Sequence, residues 1–331
     1  MIQRQLTITK KRYQSIKIMK TKVLIRLVFG IILIVSFIVI LVRYKHDLSS
    51  NSDKINSIKS QTYKSIDYNI EYILEGPGPT ILISHGVTGG IDQGIGLSNM
   101  YLGSGYRYLY LSRFGYLKSS FPDNPSAKLQ AKAYKDLLDH LGIDSVFILG
   151  NSAGGTSAIH FAIDYPERCK GLILVSSVVP GDMKALPPEP IMKVVFGCDF
   201  IYWSTIKLFG RNMLQMFVPK SIYNALSKPQ RKDLINNILF SGFPISYRTK
   251  GVLFDTYISN TSINEDIPYE NIKSPTLIIH AIDDPAPPIE GARKISARIP
   301  NCDLVTFEIG GHLILDHGQE IKDSIHLFIS R

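Results

Sequence analysis

Ser152 stands in the pentapeptide Gly150-Asn151-Ser152-Ala153-Gly154, between the apolar run Ser145–Leu149 and a helix-forming run, Ala153–Tyr165. A strand that turns sharply into a helix at a serine exposes the hydroxyl on a strained corner. Gly150 and Gly154 suit that corner, because a side chain at either would collide with neighbouring backbone. A serine placed there can attack a carbonyl if three other parts exist: an imidazole base, an acid to orient it, and backbone donors for the oxyanion. In this setting the chain order is serine, then acid, then histidine.

The later parts can be sought in that order. Thr276–His280 reads as a buried strand, and Asp283 and Asp284 follow on the loop at its carboxyl end, where sites form in open α/β sheets. Asp284 is the preferred acid by loop position, with Asp283 as the alternative. His312, in Gly310-Gly311-His312, follows the strand Asp303–Ile309, and its two glycines free the backbone to turn the ring toward the serine. One oxyanion donor is the N–H of Ala153. The other is expected from the loop His85-Gly86-Val87-Thr88-Gly89-Gly90 after the strand Thr80–Ser84, with Val87 as donor. His85, Gly86, Gly150 and Gly154 are expected to support the site, His85 by hydrogen bonds that hold the loop. Asp92 reads as a helix cap, with contact to a substrate as the alternative. His160 reads as structural, and neither His280 nor His317 makes an i, i+4 metal pair.

These motifs resemble the α/β-hydrolase fold, in its capped serine-hydrolase form, and poorly characterised bacterial members in particular. The likeness rests on the His85–Gly90 loop followed by Asp92-Gln93-Gly94, on Ser112-Arg113-Phe114-Gly115-Tyr116-Leu117, on Asn151–Gly155 and on Gly310–Leu313. It runs from about Ile66 to Phe328. The resemblance implies a mostly parallel, eight-stranded type of sheet with helices on both faces and a helical cap over the site. It also implies hydrolysis of a small-molecule substrate without cofactor or metal.

The elements needed to position these residues are legible as well. Ile66, Tyr68, Ile70 and Tyr72 alternate with polar residues and predict a half-buried strand. Tyr106–Leu111 and Gly171–Val175 read as further interior strands, and Ser126–Leu141 as an amphipathic helix. Strands alternating with helices predict a parallel sheet covered on both sides. From about residue 180 to 269 the strand pattern stops, and helix-forming runs rich in Phe, Tyr and Met, with Trp203, predict an inserted cap. Its run Val194–Trp203 suits packing on the body. The sharper alternative is a greasy acyl pocket facing a bilayer.

Charge is distributed unevenly along the 331 residues. The chain holds 37 basic and 28 acidic residues, yet eight of the basic ones and none of the acidic ones fall within the first 26 positions. The remainder is nearly neutral, so nucleic-acid binding finds no support. Val23–Val42 is apolar apart from Arg26, and twenty helical residues span about 30 Å, the thickness of a bilayer core. No small-x-small cleavage site follows, so an uncleaved signal anchor is expected rather than a signal peptide. The predicted organisation is a basic cytoplasmic segment (1–22), a transmembrane helix (23–42), a polar linker (43–62) and an extracytoplasmic hydrolase domain (63–331). Three cysteines make no disulfide framework or zinc site. Asn260-Thr261-Ser262 matches a glycosylation sequon.

The leading expectation is a membrane-anchored serine hydrolase of carboxylic esters, lipophilic ones included. Two alternatives are a C–C bond hydrolase of ring-fission products, which the Asn before Ser152 resembles, and a non-catalytic ligand-binding protein on the same fold.

Overall fold

A computed structural model describes residues 2–181 and 186–331, with side chains from residue 19 onward. The side chains at the basic positions 4–17, and residues 182–185 within the expected insertion, lie outside that description. The chain divides into two units, residues 1–53 and 54–331.

Helix α1 (Ile2–Ser57) makes up the first unit and runs into the start of the second. From Met19 it contains an 18-residue window of mean hydropathy 3.1 with its side chains exposed, long and apolar enough to cross a membrane. The polar stretch expected as a linker from residue 43 is helical as far as Ser57. The cause is local. Between Gly30 and Gly76 the chain has no glycine or proline to stop the helix. Asn51 also donates from Nδ2 to the carbonyl of Asp47 at 2.7 Å, four residues back.

In the second unit the strands are β1 (Gln61–Lys64), β2 (Asn69–Glu75), β3 (Thr80–Ser84), β4 (Arg107–Leu111), β5 (Val146–Asn151), β6 (Cys169–Val175), β7 (Thr276–Ala281) and β8 (Cys302–Phe307). They form one eight-stranded sheet in the order β1-β2-β4-β3-β5-β6-β7-β8. The pairs β1/β2 and β2/β4 are antiparallel and the others are parallel. The single strand expected from Ile66 to Tyr72 is instead the turn and second arm of a hairpin. Lys64 pairs with Asn69, and Ser65 N–H closes the turn on the Tyr68 carbonyl at 2.8 Å. Ile66 is fully exposed at its tip, whereas Tyr68 is buried and donates to Asp136. No Asn-Gly or Asp-Gly marks this turn, so the alternation ran through it unseen.

The interior strands are apolar on both faces because both are covered. Leu82, Ile148, Leu172, Leu174 and Ile278 join one core with α3 (Ala127–Leu141), α4 (Gly154–Asp164) and, beyond the insertion, the helix Ile289–Arg298. Ile81, Ile83, Leu149, Ile173, Val175, Leu277 and Ile279 join the other with α2 (Ile91–Tyr101) and the last helix, Gly318–Ile329. Neighbouring residues in each strand go to opposite cores, the period of two that a pleated strand imposes. Ser126 caps α3 by accepting from Leu129 N–H at 3.0 Å, and Gly142 ends it in the left-handed conformation.

Between β6 and β7 the described residues form no strand. They build α5 (Glu189–Gly197), α6 (Asp199–Leu214), α7 (Lys220–Ala225), α8 (Lys228–Leu234) and α9 (Thr249–Phe254), with shorter turns between. Two buried arginines fasten this insertion to the body. Arg113, on the loop after β4, makes a two-pronged pair with Asp255 of the insertion, at 2.8 Å from Nη1, and Tyr116 also donates to Asp255. Arg248 of the insertion reaches the other way, to Asp92 of α2 at 2.7 and 3.1 Å and to the Gly89 carbonyl. Asp92 is thus an ion-pair partner and not the expected helix cap; Gly90 occupies the cap position without a side-chain bond. Close backbone approach completes the seam. A Cβ at Gly251 would lie 2.3 Å from the Tyr116 ring, and one at Gly115 would lie 2.5 Å from Gly251 N.

Arg113 and Asp255 are both fully buried, so removing one strands the other. Arg113→Met should destabilise the domain by about 3–5 kcal/mol. Arg113→Met combined with Asp255→Leu should recover most of the loss, because no charge is then left unpaired. Urea unfolding of the two variants checks this, and equal losses would show that the pair is not the source.

Candidate active site

The carboxyl ends of β3, β5, β7 and β8 carry the residues singled out from the sequence. The chain order reverses between β3 and β5, which flank one another, and that is where an open α/β sheet leaves a crevice for ligands.

β5 delivers Ser152 with φ +48°, the left-handed region that a side-chain-bearing residue adopts at a cost. The surroundings hold it there. Ser152 N–H donates to the Val175 carbonyl at 3.2 Å, and the Ser152 carbonyl accepts from Gly155 at 3.0 Å and Val178 at 3.1 Å. The glycines are required by space. A Cβ at Gly154 would lie 2.1 Å from the Ser84 carbonyl oxygen, and one at Gly150 would lie 2.7 Å from Gly155 Cα. Asn151 is tied to the sheet, its Nδ2 donating to the Val175 carbonyl at 3.1 Å.

His312 bridges the serine and an acid. Its Nε2 lies 3.0 Å from Ser152 Oγ and its Nδ1 lies 2.9 Å from Asp284 Oδ2. Asp284 is fully buried, and its Oδ1 accepts from Ala286 N–H at 2.9 Å. Asp283 points elsewhere: its Oδ1 accepts from Gly311 N–H at 2.8 Å and so holds the loop that carries the histidine. The structure therefore brings Ser152, Asp284 and His312 together and gives Asp283 a separate contact. His280 lies behind this group, with Nε2 donating to the Pro287 carbonyl at 2.9 Å.

Val87 and Ala153 lie on the two backbone segments that meet at Ser152. Ala153 is the N-cap of α4, and a Cβ at Gly86 would lie 3.2 Å from Ser152 Cβ, so the loop after β3 passes directly against the serine. His85 holds that loop. Its Nδ1–H donates to the Gly86 carbonyl at 2.8 Å and its Nε2 accepts from Arg113 N–H at 3.0 Å, which fixes a neutral tautomer. Gln93, whose importance the sequence did not reveal, accepts from Gly86 N–H through Oε1 at 2.7 Å.

The insertion supplies further walls that sequence reasoning missed. The Phe217 carbonyl accepts from His312 N–H at 2.8 Å, and the two rings stand 5.7 Å apart. A Cβ at Gly311 would lie 2.4 Å from Pro219 Cδ, and one at Gly242 would lie 3.1 Å from Thr88 Cβ. Only the apolar character of Phe217 and Pro219 was visible beforehand, and apolar character alone does not single out a position.

Burial pushes His85 well below the ordinary imidazole value of 6.5, reinforced by the Arg113 charge. Burial lowers His280 as well. Both stay neutral in the fold at a pH where the unfolded chain takes up protons, so stability rises with pH through this range. Below pH about 6.5 each histidine should remove up to about 1.4 kcal/mol per pH unit until its lowered folded value is reached. Urea midpoints compared at neutral and mildly acidic pH test this, and a flat profile would contradict it. Among the described residues no cluster of three His, Cys, Asp or Glu is gathered that could hold a metal ion. The three cysteines are free, and Asn260 of the sequon match is buried.

The comparisons agree with this fold. Residues 79–197 match the family model of the alpha/beta hydrolase fold, a span that covers β3, the loop after it and Ser152. A 2-hydroxy-6-oxo-6-phenylhexa-2,4-dienoate hydrolase from Burkholderia cepacia is 29% identical over 259 residues, 72% of this chain and 82% of its own length. A 2-hydroxy-6-oxononadienedioate/2-hydroxy-6-oxononatrienedioate hydrolase from Paraburkholderia phymatum is 27% identical over 81% of this chain and 91% of its own. Among solved structures, an esterase from Exiguobacterium antarcticum superposes with a TM-score of 0.63 at 19% identity, covering 82% of this chain and all of that one, a likeness of fold. The chain has the α/β-hydrolase fold.

Proposed function

We propose that the chain is a membrane-anchored serine hydrolase that cleaves carboxylic esters through an acyl-enzyme. The observation that supports it is the His312 ring lying 3.0 Å from Ser152 Oγ and 2.9 Å from Asp284 Oδ2. In this reading the Ser152 hydroxyl donates to Nε2 while Nδ1–H donates to Asp284. As Oγ bonds to the ester carbonyl carbon, its proton passes to Nε2, and the Val87 and Ala153 N–H groups stabilise the oxyanion. Collapse expels the alkoxide, which takes the proton from Nε2 and leaves as the alcohol. Water then attacks the acyl-serine with His312 again as base, releasing the acid and restoring Ser152.

An uncharged acyl group suits the surroundings. Arg113 and Arg248 are neutralised within the protein by Asp255 and Asp92, and Phe217 and Pro219 flank the histidine loop. We assign residues 23–42 to the bilayer, 1–22 to the cytoplasm by their basic charge, 43–62 to the connection and 63–331 to the outer side.

C–C bond hydrolysis is a second reading, favoured by the names of the two bacterial relatives, which match most of both chains. It uses the same serine and base on a carbon leaving group. One experiment addresses catalysis and orientation together. A membrane-impermeant fluorophosphonate applied to intact cells should label the wild type and not Ser152→Ala. No labelling after detergent solubilisation would favour a binding protein, and labelling only then would reverse the topology. A panel of esters of graded acyl length against a 2-hydroxy-6-oxo-dienoate then separates the chemistries, and a higher kcat/KM on the dienoate would replace the ester reading.

A further inference from the structure

Helix α6 buries one apolar face and leaves large apolar side chains exposed beside it. Tyr202, Trp203, Ile206, Gly210 and Leu214 are buried against the protein. Ile201, Leu208 and Phe209 are exposed, the last two by 74% and 56%; Ile201 and Leu208 share one face because seven residues are two helical turns, and Phe209 stands at its edge. Ile191 and Val194 of α5, and Met216 just past α6, are exposed as well. Fully burying each such side chain is worth about 1.5–3 kcal/mol.

Charge says what covers this face. Residues 189–234 carry seven basic and three acidic side chains, whereas the rest of the chain after residue 26 carries 22 basic and 25 acidic ones. The excess positive charge of the hydrolase unit is thus concentrated in the segment that exposes the apolar face. Lys207 and Arg211 lie on α6 itself, Lys207 over the Trp203 and Phe240 rings and Arg211 over the Tyr223 ring, both side chains still exposed. Apolar residues bordered by cations are the composition of a helix lying in a lipid interface, where each Lys or Arg adds about 1 kcal/mol at an anionic surface. The same chain carries a helix of membrane-crossing length, so a bilayer is always within reach as an intramolecular partner.

We propose that the exposed face of α5–α6 beds into the anionic lipid surface to which the chain is anchored, and that the substrate is an acyl ester resident in that bilayer. The proposal rests on the ester-hydrolase reading for its substrate and on the geometry of α6 for its surface. The link between the two is short: α6 ends at Leu214, and Phe217 and Pro219, three and five residues on, are the insertion residues that touch the His312 loop. A lipid entering beside α6 therefore arrives next to the base.

The test uses the full chain in phosphatidylcholine–phosphatidylglycerol proteoliposomes. Leu208→Glu with Phe209→Glu should leave turnover of a short soluble p-nitrophenyl ester unchanged, which also reports correct folding. Turnover of dioleoylglycerol in the same vesicles should fall at least about tenfold, the equivalent of roughly 1.4 kcal/mol of lost interfacial binding. In a separate arm, brominated phospholipids should quench the indole added by Phe209→Trp far more than the native Trp203. Equal dioleoylglycerol turnover together with an unquenched Phe209→Trp indole would overturn the proposal. If the wild type cleaves neither ester, the ester reading falls, and quenching alone decides whether this face meets lipid.

Discussion

Ser152→Ala is expected to lower kcat on esters by about 10⁶-fold while leaving the fold intact. The loss is large because serine and imidazole act as a unit: without Oγ there is no acyl-enzyme, and water must attack directly. Activity should not reach zero, since the oxyanion donors and bound geometry alone give roughly 10³- to 10⁴-fold over water. The fold should persist because the turn at residue 152 is held by backbone bonds to Val175, Gly155 and Val178, and the substitution removes only the Oγ contact with His312. Alanine at φ +48° meets the same steric cost as serine, so the turn neither relaxes nor worsens. Single-turnover kinetics beside a urea unfolding curve would check both halves. Near-normal turnover would remove Ser152 as nucleophile, whereas a large shift in the unfolding midpoint would make it a structural residue.

What could be read from the sequence follows from how local each constraint is. The turn at Ser152 was legible because Gly150 and Gly154 are required within a few residues, by contacts of 2.7 and 2.1 Å that a Cβ would make. The parallel strands were legible because both of their faces are buried. The hairpin from Gln61 to Glu75 was not, since its turn, Ser65–Tyr68, lacks glycine and keeps the alternation going. The partner of Asp92 was not legible either. Arg248 is 156 residues away, and only the packing of α9 against the loop after β4 makes them meet. Gln93 gave no signal, because an amide that braces a loop looks like any other polar residue at a helix start. The cap's outward face was half legible: the apolar run Val194–Trp203 was visible, but which of its residues pack inward depends on the pitch of α6. The two adjacent aspartates could be ranked but not separated, since neighbouring side chains on a loop diverge according to backbone angles that sequence does not specify.

Those two aspartates give the second large effect. Asp284→Asn should lower kcat by about 10³- to 10⁴-fold with little change in KM. The buried carboxylate serves two donors at once, His312 Nδ1–H through Oδ2 and Ala286 N–H through Oδ1. An amide has a single acceptor oxygen. Turned toward Ala286, it presents its NH₂ to His312, and the imidazole must then carry its proton on Nε2, where it can no longer accept from Ser152. Turned toward His312, it opposes NH₂ to the Ala286 N–H, so that contact becomes repulsive and the loop carrying it is pushed apart. His280 offers no rescue, because its Nε2 proton is committed to the Pro287 carbonyl. Asp283→Asn is different. Its Oδ1 accepts one bond, from Gly311 N–H, and an amide oxygen can take that role unchanged, so the loss should stay below about tenfold. Measured side by side in the same assay, the two variants should differ by at least about a hundredfold. Equal, modest losses would mean that neither aspartate orients His312 during turnover, and a larger loss at Asp283 would exchange their roles.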